Sequence, residues 1–239
     1  MAIDFWFEFG STYSYPAAMR VEELASRAGV GVNWRPFLLG AIFREQGLSD
    51  SPFNLYPAKG RYMWHDLERT CRTLGIPFQR PSQFPRNGLL AARVACRFDE
   101  EAWLPDFVRA VYRANFVDDA DIADASVVGR CIADAGAQPE EVLAQAQLPE
   151  SKAKLRAQTD EAMRLGIFGA PMVVVGEELF WGNDRLEDAL EWARRQIRRV
   201  RVHVAQKQEE RLIVSGQALE FRYRHLVQIL RFVAAPGVP

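Results

Sequence analysis

Cysteine is scarce in this 239-residue chain: Cys71, Cys96 and Cys131 lie far apart, are odd in number and never form a C-x-x-C. That spacing excludes a disulfide framework, a zinc ribbon and any dithiol redox chemistry carried by the chain alone. Each cysteine falls in a helix-like stretch, where it reads as a small buried hydrophobe. Histidine is equally rare, and His65, His203 and His225 stand without metal-ligand spacing, so no metal is expected. G-x-G-x-x-G, the P-loop, H-E-x-x-H and G-x-S-x-G are all missing, and the common nucleotide, zinc-protease and serine-hydrolase signatures go with them. Net charge is nearly missing too. At −1 it predicts no general attraction to nucleic acid or to a membrane. No apolar run approaches the roughly 20 residues that a bilayer span needs. Met1-Ala2-Ile3-Asp4 lacks the basic start of a secretory signal, so the expected location is cytoplasmic.

What is present is an ordinary globular composition, with 49% hydrophobic and 11% aromatic residues, enough for one full core. Ile3, Phe5, Phe7 and Phe9 alternate with Asp4, Trp6 and Glu8, a period of two that predicts a strand ended by Gly10. Ser11 to Tyr15 form a polar-aromatic turn, and Pro16 suits the first turn of a helix running to Ala28. Gly29 and Gly31 close it, and Val32 to Phe37 predict a second strand, parallel to the first by the right-handed crossover rule.

Helical signals then dominate from about Gly60 to Glu161, broken by proline, glycine and aspartate clusters. After Gly169-Ala170-Pro171, the run Met172 to Gly176 reads as a buried strand, and Leu179-Phe180-Trp181 as its partner. Gly182-Asn183-Asp184 precede a final helix from Arg185 to about Arg198. The order βαβ, helical block, ββα predicts an α/β thioredoxin-like fold with a large all-helical insertion. Its domains would be 1–40 with 166–199 (thioredoxin-like, discontinuous), 41–165 (insertion) and 200–239 (C-terminal extension). In the extension, 201–204 and 211–214 look strand-like and 218–233 helical, and arginines interleave with Glu209, Glu210 and Glu220. That mixture favours a solvated or subunit-facing surface over a nucleic-acid site.

The chemistry concentrates at Ser11-Thr12-Tyr13-Ser14, the strand-to-helix junction where a thioredoxin fold carries its C-x-x-C. Free backbone N–H groups and the helix dipole favour a thiolate there. A serine cannot cycle through a disulfide, but its hydroxyl can donate a hydrogen bond to a thiolate brought by another molecule. Ser11 or Ser14 as a simple helix cap is the alternative. Pro171 is a candidate cis bond opposite that helix, or an ordinary strand-opening proline. Gly182-Asn183-Asp184 offer donors and a carboxylate suited to a γ-glutamyl end, or serve as helix N-cap residues.

Five stretches carry a family resemblance: Asp4 through Ser11 with Ser14-Tyr15; Pro57 through Tyr62 with Asp66-Leu67; Gly75-Ile76-Pro77; Phe168 through Pro171; and Trp181 through Leu186. In this order, reaching about residue 197, the sequence resembles 2-hydroxychromene-2-carboxylate isomerases and the related kappa-class glutathione transferases of the DsbA-like thioredoxin superfamily. Thr12 stands where the family usually carries proline, and Ala170 where valine is commoner. The resemblance implies glutathione as cofactor, a small aromatic substrate, a homodimer, and cis-trans isomerisation by reversible thiolate addition. It implies that Ser11 faces the sulfur, that Ala170 beside Pro171 pairs with the cysteinyl backbone, and that Trp181, Gly182, Asn183 and Asp184 hold the γ-glutamyl end. Lys59, Asn54 and Phe53 would lie on a closing loop, and Phe84, with Arg44 or Arg86, would line the substrate pocket. A kappa-like transferase and a non-enzymatic thiol- or peptide-binding module remain the alternatives.

Overall fold

A computed structural model of the chain describes residues 1–199. The chain divides after Arg194, and Met1–Arg194 form one compact unit. The strands expected at 201–204 and 211–214 and the helix at 218–233 lie outside the described residues.

The alternating aromatic run forms β1 (Ala2–Phe7), followed by α1 (Ser14–Ala28) and β2 (Gly31–Pro36). β2 pairs parallel to β1, with Phe5 opposite Trp34. On the other side of β1 lies β3 (Met172–Val175), antiparallel, and beyond it the edge strand β4 (Glu178–Trp181), giving the order β2-β1-β3-β4. A central strand is covered on both faces, so β1 buries Trp6 as fully as Phe5 and Phe7. One face stacks Phe5, Phe7 and Phe9 against Trp34 and the Tyr112 ring, mostly edge to face. The other face gathers Trp6, Phe37, Ile42, Ala170 and Met172.

Eight helices separate β2 from β3: α2 (Leu39–Glu45), α3 (Pro52–Leu55), α4 (Pro57–Leu74), α5 (Leu89–Arg97), α6 (Leu104–Phe116), α7 (Ala125–Asp134), α8 (Pro139–Ala146) and α9 (Pro149–Arg164). A 3-10 turn (Asn183–Arg185) then leads into α10, which opens at residue 186. The sequence shows neither α2 nor α3, because a seven-residue and a four-residue helix are too short for periodicity to register. It also places the start of α4 at Gly60, whereas Pro57 opens the helix. Gly60 matters for packing instead. A side chain there would collide with the carbonyl of Phe53, so the glycine lets α3 lie directly on α4.

Candidate functional site

The strand-to-helix junction is pinned by its own backbone. Ser11 N–H donates to the carbonyl of Glu8 at 3.0 Å, and the Tyr112 hydroxyl of α6 donates to the same carbonyl at 3.0 Å. The Ser11 side chain has two partners. Its Oγ accepts the Ser14 N–H at 3.3 Å, a contact to the first turn of α1, and donates to the carbonyl of Ala170 at 3.0 Å. One hydroxyl thus both accepts from the first turn of α1 and donates across to the residue before Pro171. The Ala170–Pro171 bond is cis, and so is Phe84–Pro85. Thr12, the departure from proline, is buried and donates to the Met63 sulfur at 3.1 Å.

A cavity of about 860 Å³ opens over this junction. Ser11, Ala170, Phe168 and Gly169 line it, and Trp181 packs its indole over Gly169 so closely that a Cβ there would lie 2.6 Å from Nε1. Leu38, Leu39 and Phe43 supply an apolar wall, and Phe53, Phe84 and Pro85 supply another. Phe84 stands edge-on to Trp64 at 4.9 Å, and Phe53 edge-on to Tyr13 at 6.3 Å. The Tyr13 hydroxyl donates to Asp66 at 3.0 Å, tying the α1 junction to α4. Burial and the Asp66 carboxylate both push the Tyr13 ionisation well up, so it stays a neutral donor.

Three cations border the cavity, and they differ in what they are free to do. Arg86 is buried and committed: it donates to the carbonyl and the side chain of Asn115, each at 3.2 Å, and to Asp119. It therefore anchors the loop before α5. Arg44 is exposed at the end of α2, and Lys59 sits in the first turn of α4 with its ammonium 4.7 Å from the centre of the Tyr56 ring. Neither is paired with a carboxylate among the described residues.

The structure thus brings Ser11, Ala170, Trp181, Lys59, Arg44, Phe53 and Phe84 to one cavity. Pro171 is buried behind Ala170, its carbonyl accepting the Gly182 N–H at 3.0 Å. Asn54 is exposed and ties its loop down, donating to Asp50 at 3.0 Å and to the carbonyl of Phe84 at 3.4 Å. Gly182 has φ +110, where a side chain would also strike Asp184. Asn183 is buried and accepts from Arg20 at 3.1 Å. Asn183 and Asp184 border a separate shallow hollow with Arg20, Arg69 and Glu187. One further cavity residue, Glu8, looks from the sequence like an outward strand position. An acid at the very end of a buried strand, three residues before Ser11, is the available signal.

The three cysteines are buried, and burial pushes each thiol up to about 11, as expected of packing residues. Among the described residues no group of histidine, cysteine, aspartate or glutamate side chains suits a metal, and no helix is long and apolar enough to cross a membrane.

A four-stranded mixed sheet, a cis-proline facing an α1 N-terminus and a serine in the redox position define a thioredoxin-type protein without its own dithiol. Residues 2–191 match the model of the DSBA-like thioredoxin domain, and the chain belongs to that family. Among its relatives, the 2-hydroxychromene-2-carboxylate isomerase of Sphingobium xenophagum is 30% identical over 77% of this chain and 94% of its own length. Human glutathione S-transferase kappa 1 is 27% identical over 66% of this chain and 75% of its own. A solved 2-hydroxychromene-2-carboxylate isomerase superposes with a TM-score of 0.75 at 24% identity, covering 85% of this chain and 99% of that one.

Proposed function

We propose that this chain is a glutathione-dependent isomerase resembling 2-hydroxychromene-2-carboxylate isomerase, acting on an aromatic-ring catabolite with a conjugated pyruvyl side chain. The observation that carries this reading is the Ser11 hydroxyl at the α1 N-terminus, on the Ala170 carbonyl, lining a cavity that Phe53, Phe84 and two cations without carboxylate partners among the described residues also line. The residues fit glutathione. Phe168, Gly169 and Ala170 line the cavity and offer backbone groups to an extended peptide, and α1 favours negative charge where its sulfur would sit. Bound there, glutathione supplies a thiolate that adds reversibly to a conjugated carbon, converting a double bond to a rotatable single one.

The chain's own part is to hold and to exclude. Ser11 has one proton to donate, and a sulfur anion is a stronger acceptor for it than a neutral carbonyl. Lys59 and Arg44 hold carboxylates, and the 860 Å³ cavity has room for glutathione and a flat second molecule together. Phe53, Phe84, Leu38 and Leu39 keep water from the reacting carbons.

Millimolar reduced glutathione should raise the melting temperature of the chain, and absorbance of a hydroxychromene carboxylate should change only when glutathione is present. Ser11→Ala should fold normally yet raise the pKa of the bound thiol by about 1–2 units, the worth of one charge-assisted hydrogen bond. Thiolate absorbance followed against pH reads that shift. No thermal response to glutathione would sink the proposal, and a stable conjugate in place of an isomer would make the chain a transferase instead.

A further inference from the structure

Glu8 is a carboxylate built into the cavity with no cation among the described residues to neutralise it. Its Oε2 accepts the Gly10 N–H at 3.0 Å, while its main-chain carbonyl is held by Ser11 and Tyr112. Two glycines leave it space: a Cβ on Gly10 would lie 3.2 Å from Oε2, and one on Gly88 would lie 3.6 Å from Oε1. Arg86, the buried cation bordering the same cavity, turns both terminal nitrogens to Asn115 and Asp119 and forms no ion pair with Glu8. Burial without a counter-charge pushes the Glu8 carboxyl up to about 7, against an ordinary 4.5. A carboxyl with these properties, one turn from Ser11, suits proton transfer at neutral pH.

We propose that Glu8 is the proton carrier of this site, taking the proton of a thiol that ionises beside Ser11 and delivering it to the substrate. This rests on the glutathione reading above. The Glu8 carboxylate forms an O–H bond as the S–H bond breaks. It releases that proton to the substrate's carbonyl oxygen as carbon–sulfur bond formation pushes the π pair onto that oxygen. The reverse steps bring the proton back and leave Glu8 unchanged. The other ionisable groups around the junction and the cavity cannot substitute for it. Burial keeps Tyr112 on α6 neutral far above physiological pH, and Arg86, Arg44 and Lys59 are cations. Asp50, also on the cavity lining, is exposed and bonded to Ser51 and Asn54.

Glu8→Gln tests the assignment, since an amide oxygen can still accept the Gly10 N–H. Calorimetry of reduced glutathione binding, in two buffers of different ionisation heat at slightly alkaline pH, counts the protons released. The native chain should release clearly fewer than Glu8→Gln, because Glu8 keeps the thiol proton. Turnover by Glu8→Gln should fall by about 100-fold or more with glutathione affinity nearly unchanged, and the inflection near pH 7 in kcat/KM should vanish. Glu8→Asp, with its carboxyl withdrawn by one methylene, should keep an inflection at an intermediate rate. Equal proton release by native chain and Glu8→Gln would overturn Glu8's role and leave glutathione binding standing. No binding by the native chain would overturn both. Should Glu8→Gln fail to fold, the protonated-carboxyl infrared band of the native chain decides: it should grow on glutathione binding, and a band unmoved by glutathione overturns the assignment.

Discussion

At the scale of the residue, Glu8 is held in a place that costs stability. An unfolded carboxyl loses its proton near 4.5, whereas the folded one keeps it to about 7. Between those values the native state binds more protons than the unfolded state, so stability falls as pH rises through the window and stays lower above it. The contribution is at most about 3 kcal/mol. Chemical denaturation of Glu8→Gln should therefore show a flatter pH dependence and, at pH about 8, higher stability than the native chain. A variant that is steadier yet slower would mark Glu8 as kept for function. Ser11 makes the complementary point: its two hydrogen bonds, to Ser14 and Ala170, need only a hydroxyl and say nothing by themselves about a ligand.

At the scale of the element, the cavity depends on short pieces that lie over long ones. α3 rests on the first turn of α4, where Gly60 leaves room for the Phe53 carbonyl, and Phe53 in turn meets Tyr13. Gly60→Ala removes that room. It should lower stability by about 1–3 kcal/mol, the usual cost of overpacking, and raise the KM for the aromatic substrate more than that for glutathione. Steady-state kinetics with each ligand varied in turn would show the asymmetry. The loop before α5 is fixed differently, by Arg86 reaching Asn115, whose amide donates to the Phe9 carbonyl at 3.2 Å. One buried cation thus joins the cavity rim to the end of the central strand. Arg86 borders the cavity, but the sequence cannot tell that both its terminal nitrogens already reach Asn115 and Asp119.

At the scale of the whole molecule, the site sits at one end of a sheet whose central strand is packed on both sides. Phe7 is fully buried there among Phe9, Trp34 and Tyr112, and Phe7→Ala should cost about 3–5 kcal/mol in denaturant unfolding. The near-neutral net charge means that no overall field draws in an anionic substrate, so local cations must do it. Lys59→Ala combined with Arg44→Ala should raise the KM for a carboxylate substrate several-fold at low salt. The gap to the native chain should narrow as salt rises, because both residues are exposed.

The sheet, the long helices and the serine in the redox position are all legible along the chain. They rest on local signals: an alternation of two, amphipathic runs, and glycine or proline punctuation. Which cations are free, that Asn183 and Asp184 border a different hollow from Ser11, and that Glu8 faces the cavity emerge only once the chain is folded. Each of these depends on contacts between residues far apart in the chain. An arginine's availability depends on whether Asn115 and Asp119 reach it, and a glutamate's proton on whether a counter-charge does. No local pattern encodes either.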